Sequence, residues 1–358
     1  MKEVNIILFG VGNVGNTLIS QLLENKDKWK KKKGLSVKIP VIANSQRAIF
    51  NPEGIDQDWK EKLKTSSEVY DLEDIIKFSK ENKLENIIAV DATASKDIVL
   101  EYPKLVRSGF HLVAANKVAN TLSDEFYTEL RKELEVHKKH FYYETNVGAG
   151  LPIVQTVQGL HQAGEKVTKI RGVFSGSLSF IFNSFSDSDS DFSEVLKKAG
   201  ELGYTEPDAR EDLSGNDVGR KLLILARELQ LKKEFKEVKI QSLIPEQLNG
   251  KTSVEEFNER ISELNEIFEK QKKNQKKDHV LRYVGELKVG SGSLEAKLIS
   301  APRESALGQI EGADNIFEIY TKSYGNHPLV IQGAGAGAAV TARGVVSDVL
   351  KLSQRLNK

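Results

Sequence analysis

The densest gathering of reactive side chains is GYTEPDAREDLSGNDVGRK, Gly203 to Lys221, where Glu206, Asp208, Glu211, Asp212 and Asp217 stand beside Arg210, Arg220 and Lys221. Just beyond, Val218, Leu222, Leu225 and Leu229 recur at helical spacing and predict a helix with one core-facing stripe. Asp217 and Lys221 are one turn apart at the edge of that stripe, so both can point into one cleft. A lysine beside carboxylates stays protonated if those charges outweigh desolvation, and can then give a proton to an alkoxide. The same spacing also fits an exposed Asp–Lys pair at a helix start, with carboxylates favouring the dipole.

A second signal is GVGNVG, Gly10 to Gly15, directly after the apolar run Ile6 to Phe9. Gly10 permits a tight turn, Gly12 lets backbone N–H groups approach a pyrophosphate, and Gly15 lets the next helix pack on the strand. The second expected strand ends in Ala43, Asn44, Ser45, Gln46, Arg47, without the carboxylate that would hold ribose hydroxyls. A guanidinium there tilts the choice from NAD toward the 2′-phosphate of NADP.

Other segments are open to two readings. Lys117 follows the strand expected at His111 to Ala114, where open α/β sheets gather functional groups, yet an isolated lysine there is often only exposed. In GVFSGSLSFIFNSF, Gly172 to Phe185, hydroxyls could meet a substrate or Ser175 could cap a helix. QGAGAGAAVTARG, Gln332 to Gly344, offers closely approaching backbone to a cofactor or merely tight packing. His137 and His140 lack the companions of a zinc site, and neither a GxSxG elbow nor a P-loop occurs. Hydride transfer is the chemistry best matched to a dinucleotide site without thiol or zinc.

The 358 residues contain no cysteine, which removes disulfides, thiolate metal sites and a Cys nucleophile. With 52 Lys plus Arg against 51 Asp plus Glu, the chain lacks the basic excess of a nucleic-acid or membrane-surface binder. Leu329 to Leu350 is the most apolar stretch, but Gln332, Thr341, Arg343 and Asp348 interrupt it, so no membrane span is expected and the default location is cytoplasmic.

These groups must be held by alternating strands and helices. Strands are expected at Val4 to Phe9, Val37 to Ala43, Ile87 to Asp91, His111 to Ala114 and Phe141 to Glu144, with helices at Leu72 to Phe78 and Phe126 to Val136. That alternation predicts a Rossmann-type doubly wound parallel sheet over 1–150; a C-terminal helix, 337–358, is expected to return to it. Lys26 to Lys33 reads as a solvated loop, and a helix opening near Thr252 and Ser253 is expected to close in the run Glu269 to Lys277. Residues 151–336 read as an α+β domain with strands at Val167 to Val173, Leu281 to Val289, Leu294 to Ser300 and Ile316 to Tyr320, and a hairpin turn at Gly290 to Gly292.

Taken together, GVGNVG, AANK (Ala114 to Lys117), ETNVGAGLP (Glu144 to Pro152), GVFSGSLSFIFN, GYTEPDAREDLSGNDVGRK and VIQGAGAGAAVTARGVV resemble homoserine dehydrogenase, particularly its short fungal-type members. The resemblance implies NAD(P)H-dependent interconversion of L-aspartate 4-semialdehyde and L-homoserine, on the route to threonine and methionine. It makes Lys221 the proton donor, with Asp217 orienting substrate and lysine, and Lys117 helping to hold substrate and cofactor. Glu206 would bind the substrate amino group, Asp212 would belong to the same acidic site, and Gly176, Ser177 and Tyr204 would line the pocket. Gly10, Gly12, Asn13, Val14, Gly15, Thr93, Lys117 and Gly337 would contact the dinucleotide. It further implies sodium held by the Glu144 side chain and the carbonyls of Val147, Ala149 and Leu151, and a homodimer built on 151–336. Ser177 departs from the threonine frequent in relatives but keeps the hydroxyl. The length leaves no room for a fused aspartate kinase, and no added regulatory domain is expected.

Two other functions compete. Aspartate-semialdehyde dehydrogenase has a similar domain pair but needs a cysteine for its acyl-enzyme. A catalytically silent NADP(H)-sensing dimer would not require Glu206, Lys117, Asp217 and Lys221 together.

Overall fold

Alternation along β1 (Lys2–Phe9) sets the layers of the first part of the molecule: Val4, Ile6 and Leu8 enter one core, Ile7 and Phe9 the other. The structure, a computed structural model, describes residues 1–66, 69–250 and 252–356. It divides into two units, Met1–Gly150 with Gly337–Lys358, and Leu151–Ala336.

In the first unit β1 is followed by α1 (Asn13–Lys33), β2 (Leu35–Ala43), β3 (Ala48–Phe50), α2 (Trp59–Thr65), α3 (Leu72–Glu81), β4 (Ile87–Asp91), α4 (Lys96–Leu100), α5 (Tyr102–Arg107), β5 (His111–Ala114), α6 (Asp124–Val136) and β6 (Phe141–Tyr142). The sheet runs β3-β2-β1-β4-β5-β6, parallel except for β3, which turns back on β2. Strand order reverses at β1, so the crevice above its carboxyl end is a topological switch point. Leu18, Ile19 and Leu22 of α1, with Ala342, Val345, Val349 and Leu352 of the C-terminal helix (Ala338–Arg355), cover one face. Ile75 and Ile76, Leu105 and Val106, and Leu130 and Leu134 cover the other. Each large side chain so buried contributes about 1.5–3 kcal/mol. The expected doubly wound sheet is therefore present; residues 357–358 of the C-terminal segment lie outside the described residues.

Two local expectations are corrected here. Lys26 to Lys33 is the end of α1, not a loop. Lysine is a good helix former, cations suit the negative end of a helix, and Trp29 in the run is buried. The sixth strand stops at Tyr142, and Glu144 begins a 3₁₀ turn, because the Glu144 N–H leaves the ladder to donate to Asp348 Oδ2 at 2.9 Å. Burial pushes the Asp348 carboxyl up to about 7, although that N–H acts in the opposite direction. The β3 hairpin strand was not foreseen, its three residues being too few for a period.

The second unit contains α7 (Ile153–Gln162), β7 (Val167–Val173), α8 (Gly176–Ser186), α9 (Phe192–Glu201), α10 (Ala209–Leu213), α11 (Asn216–Glu228), β8 (Lys239–Ile240), α12 (Val254–Glu259), α13 (Leu264–Lys273), β9 (His279–Lys288), β10 (Ser293–Pro302), β11 (Asp314–Thr321) and β12 (Leu329–Ala334). Its sheet runs β12-β11-β7-β9-β10-β8, with α8 and α11 packed upon it. The helix expected from Thr252 and Ser253 onward is interrupted: Ser253 caps α12, then a 3₁₀ turn at Ile261–Glu263 redirects the chain into α13. That bend seats Phe268 on Phe192 with ring centroids 3.7 Å apart. β12 was hidden in a stretch notable only for apolarity and glycine. Among the described residues, no helix is long and apolar enough to cross a membrane.

Gly15 packs so closely that an added Cβ would collide with the Gly10 carbonyl oxygen, whereas one on Gly12 would meet nothing within 4 Å. Urea denaturation should therefore find Gly15→Ala destabilised by about 2 kcal/mol and Gly12→Ala nearly unchanged.

Candidate functional site

The chain leaves β1 through Gly10, whose φ of +95° suits a residue without Cβ and whose N–H donates to the Ala43 carbonyl at 2.8 Å. Gly12 then caps α1 with no side-chain acceptor and no acidic residue in the first turn. The positive end of α1 is thus exposed at Gly12 and Asn13, with Val14 half-buried and Gly15 buried behind them. Gly337, at φ +108°, occupies the corresponding cap of the C-terminal helix. The two helices are tied together where Gln21 Nε2 donates to the Ala339 carbonyl at 3.1 Å.

Thr93 and Lys117 are held by a buried acid that went unremarked in the sequence. Asp91, at the end of β4, is 2% exposed. Its Oδ1 accepts from the Thr93 N–H at 2.7 Å, and Oδ2 accepts from the Tyr102 hydroxyl at 2.6 Å and Asn116 Nδ2 at 2.9 Å. Asn116 Oδ1 in turn accepts from the Val118 N–H at 3.0 Å, fixing the turn that carries Lys117. The available signal was an aspartate closing one apolar strand and an asparagine two residues past the next.

Beyond β2, Asn44 Oδ1 accepts from the N–H groups of Gln46 and Arg47, each at 2.8 Å. Arg47 Nη1 donates to the Lys64 carbonyl at 2.9 Å. A cavity of about 560 Å³ opens here between Val11, Asn16, Asn44, Arg47, Lys60 and Lys64, and none of the described residues lining it is acidic.

The second unit assembles a different chemistry. Ser175 caps α8 by accepting from the Leu178 N–H at 3.2 Å, so of its two readings the capping role is realised. Gly176 follows against Ala336, where an added Cβ would lie 2.9 Å from the Ala336 Cβ. Tyr204, in the turn after α9, stacks on Phe180 of α8 at 4.3 Å and remains 41% exposed. Glu206 is exposed, and its N–H donates to Asp212 Oδ2 at 2.8 Å. Burial, then the charges of Asp217 and Glu211, raises the Asp212 carboxyl above its ordinary range, while hydrogen bonds from the Glu206 N–H and the Ser177 side chain hold it down.

Lys221, one turn along α11 from Asp217, is tied to that acid. Its Nζ donates to Asp217 Oδ2 at 2.7 Å and to the Phe174 carbonyl at 2.7 Å. The lysine side chain is 8% exposed and the aspartate 42%, so the pair is neither solvated nor sealed. This decides against the exposed-pair reading: the ammonium is largely withdrawn from water, where electrostatic interactions are strong, while its carboxylate partner stays partly open. Asp208 and Arg210, by contrast, close on each other through two parallel bonds of 2.8 and 2.7 Å, and Arg210 also bonds the Thr252 carbonyl at 2.8 Å. Those two hold the loop.

Gly176, Ser177, Tyr204, Glu206, Asp212, Asp217 and Lys221 thus lie on adjoining elements of the second unit, and the glycine turn, Thr93, Lys117 and Gly337 belong to the first. Of the four cation positions, Glu144, Val147 and Ala149 are in the first unit and Leu151 in the second. Glu144 is 6% exposed, Val147 is fully buried, and the Leu151 carbonyl accepts from the Ile153 N–H at 2.9 Å. Among the described residues, no group of three or more His, Asp or Glu side chains could hold a metal ion.

The α11 start depends on Gly215, at φ +72°, where an added Cβ would collide with the Tyr283 hydroxyl. Gly215→Ala should cost about 2 kcal/mol or more and lower the thermal midpoint accordingly.

Comparison with known proteins gives a consistent result. The family model described as "Homoserine dehydrogenase" matches residues 152–350, and "Homoserine dehydrogenase, NAD binding domain" matches residues 10–144. The homoserine dehydrogenase of Saccharomyces cerevisiae is 38% identical, over 99% of this chain and 99% of its own. A chloroplastic bifunctional aspartokinase/homoserine dehydrogenase from Zea mays is 38% identical over 98% of this chain, but the chain spans only 38% of that protein's length. A crystal structure of a Candida auris protein of unknown function superposes with a TM-score of 0.89 at 34% identity, covering 99% of each chain.

Proposed function

The chain belongs to the homoserine dehydrogenase family, and from that premise we propose that it reduces L-aspartate 4-semialdehyde to L-homoserine with a nicotinamide dinucleotide, reversibly. The observation that carries this reading is the ammonium of Lys221, buried between the Asp217 carboxylate and the Phe174 carbonyl beside an acidic loop. A silent dinucleotide sensor has no use for that arrangement.

The first unit suits a dinucleotide. The bare positive end of α1, without an acidic residue in its first turn, favours a pyrophosphate, and Gly12 leaves room for it. Gly10, Gly12, Asn13, Val14, Gly15, Thr93, Lys117 and Gly337 would hold it. Bound there, the cofactor supplies a hydride from its reduced nicotinamide. The basic cavity formed by Arg47, Lys60 and Lys64 supports NADP(H) over NAD(H), because two negative charges of a 2′-phosphate would meet cations and no described carboxylate.

Substrate handling falls to the second unit. Glu206 and Asp212 draw the substrate ammonium, while Gly176, Ser177 and Tyr204 shape its pocket. As the carbonyl carbon gains its new C–H bond, negative charge develops on the oxygen and Lys221 Nζ gives up a proton to it, forming the hydroxyl. Asp217 keeps that ammonium charged and aimed, and Lys117 helps hold substrate and cofactor. In the oxidation direction Lys221 accepts the proton instead, which favours higher pH. The oxygen ligands of Glu144, Val147, Ala149 and Leu151 suit a hard monovalent cation, sodium in this proposal. The reading also includes a homodimer through residues 151–336 and a cytoplasmic location, and involves neither nucleic acid nor membrane.

Loss of NADPH absorbance that requires added aspartate semialdehyde tests the reaction, and no such loss refutes it. Lys221→Ala should lower kcat roughly 10²–10⁴-fold with little change in NADPH affinity; near-normal turnover would remove Lys221 from the mechanism. Arg47→Ala combined with Lys60→Ala should raise KM for NADPH roughly tenfold and leave KM for NADH nearly unchanged.

A further inference from the structure

The Phe174 carbonyl that accepts from Lys221 has a second donor. Asn315 Nδ2, from β11, reaches the same oxygen at 3.1 Å and the Gly335 carbonyl at 3.4 Å. Asn315 is 0% exposed, inside a strand otherwise rich in apolar residues. Both neighbours of its amide are acceptors, so only the nitrogen can face them, and Oδ1 is left buried without a hydrogen-bond partner. A core position would ordinarily shed such a group, because an unpaired buried oxygen is destabilising.

The surroundings hold this asparagine and its carbonyl in register. The Phe174 ring stacks on Phe317 at 4.5 Å and 11°. It occupies a slot that side chains at Gly172 or Gly285 would fill: an added Cβ there would lie 2.9 or 2.8 Å from the ring. Gly335 presses on Asn315 itself, and an added Cβ would collide with the Asn315 Cγ and Nδ2. The ring fixes where residue 174 lies, and the amide fixes which way its carbonyl points.

We infer that Asn315 is a positioning residue: by clamping the Phe174 carbonyl it orients the Lys221 ammonium, while touching neither substrate nor cofactor. The inference rests on Lys221 being the proton donor. Without the amide the carbonyl turns away, the ammonium loses one of its oxygen partners, and its proton is both misdirected and less firmly held.

The test is aldehyde reduction by Asn315→Leu and by the isosteric Asn315→Asp, with Lys221→Ala in parallel and the fold followed by circular dichroism. Asn315→Leu is expected to lower kcat roughly tenfold or more, with KM for NADPH within about twofold of the parent. The alkaline limb of its kcat–pH profile should move to lower pH by about half a unit or more. Asn315→Asp, which keeps the volume but offers an oxygen where the N–H was, should lose activity near neutral pH and recover part of it in acid, where a carboxyl O–H can donate to the carbonyl. Should Asn315→Leu not fold, Asn315→Asp carries the test alone. If Lys221→Ala abolishes turnover while a folded Asn315 variant keeps its kcat and its alkaline limb, the clamp is overturned and the assignment of Lys221 stands. If Lys221→Ala turns over normally, both are overturned.

Discussion

An ammonium group removed from water must be surrounded by oxygen atoms, or it surrenders its proton. Among the partners of Lys221 are one carboxylate from its own helix and the main-chain carbonyl of Phe174, just past β7. Much of the second unit follows from these two bonds. Asp217 must be one turn before Lys221, so α11 must begin at Gly215, where Tyr283 leaves space for hydrogen only. Phe174 must follow β7 directly with its carbonyl turned toward α11, so its ring is locked between strands that have glycine at the points of contact. The sheet is built tightly around an atom of the backbone.

The first unit solves the opposite problem, since it must leave charge unanswered. The N–H groups opening α1 receive no cap and no acidic neighbour, and remain available to an anion. The compensating order lies one layer deeper, in Asp91, which binds Tyr102, Asn116 and the Thr93 N–H below the open corner. Both oxygens of that buried carboxylate are engaged, while the N–H groups above it stay open.

Legibility in the sequence followed the range of the forces involved. The parallel sheet was readable because strands buried on both faces are written as unbroken apolar runs, and the glycine turn because Gly10 and Gly15 answer local sterics. The pairing of Asp217 with Lys221 was readable because one helical turn is fixed geometry. Burial of Lys221 was not, since the deciding acceptor is a carbonyl 47 residues away in the chain. A carbonyl belongs to every residue type, so sequence cannot single out the one at Phe174. Asn315 was silent for the same reason. The lysine run was misjudged because charge suggested a loop, while the buried Trp29 among those lysines marked a helix.

The return of the C-terminal helix to the first sheet has a bearing on biosynthesis. One flank of that sheet is completed by Val345, Val349 and Leu352, and Lys2 Nζ donates to the Ser353 carbonyl at 2.7 Å, 351 positions along the chain. A nascent chain on the ribosome carries β1 long before that partner exists, whereas residues 151–336 emerge as one uninterrupted segment. The later segment can condense first, leaving the earlier one with an apolar flank uncovered until the final turns arrive. Covering of the first sheet's flank thus waits on residues translated after 151–336.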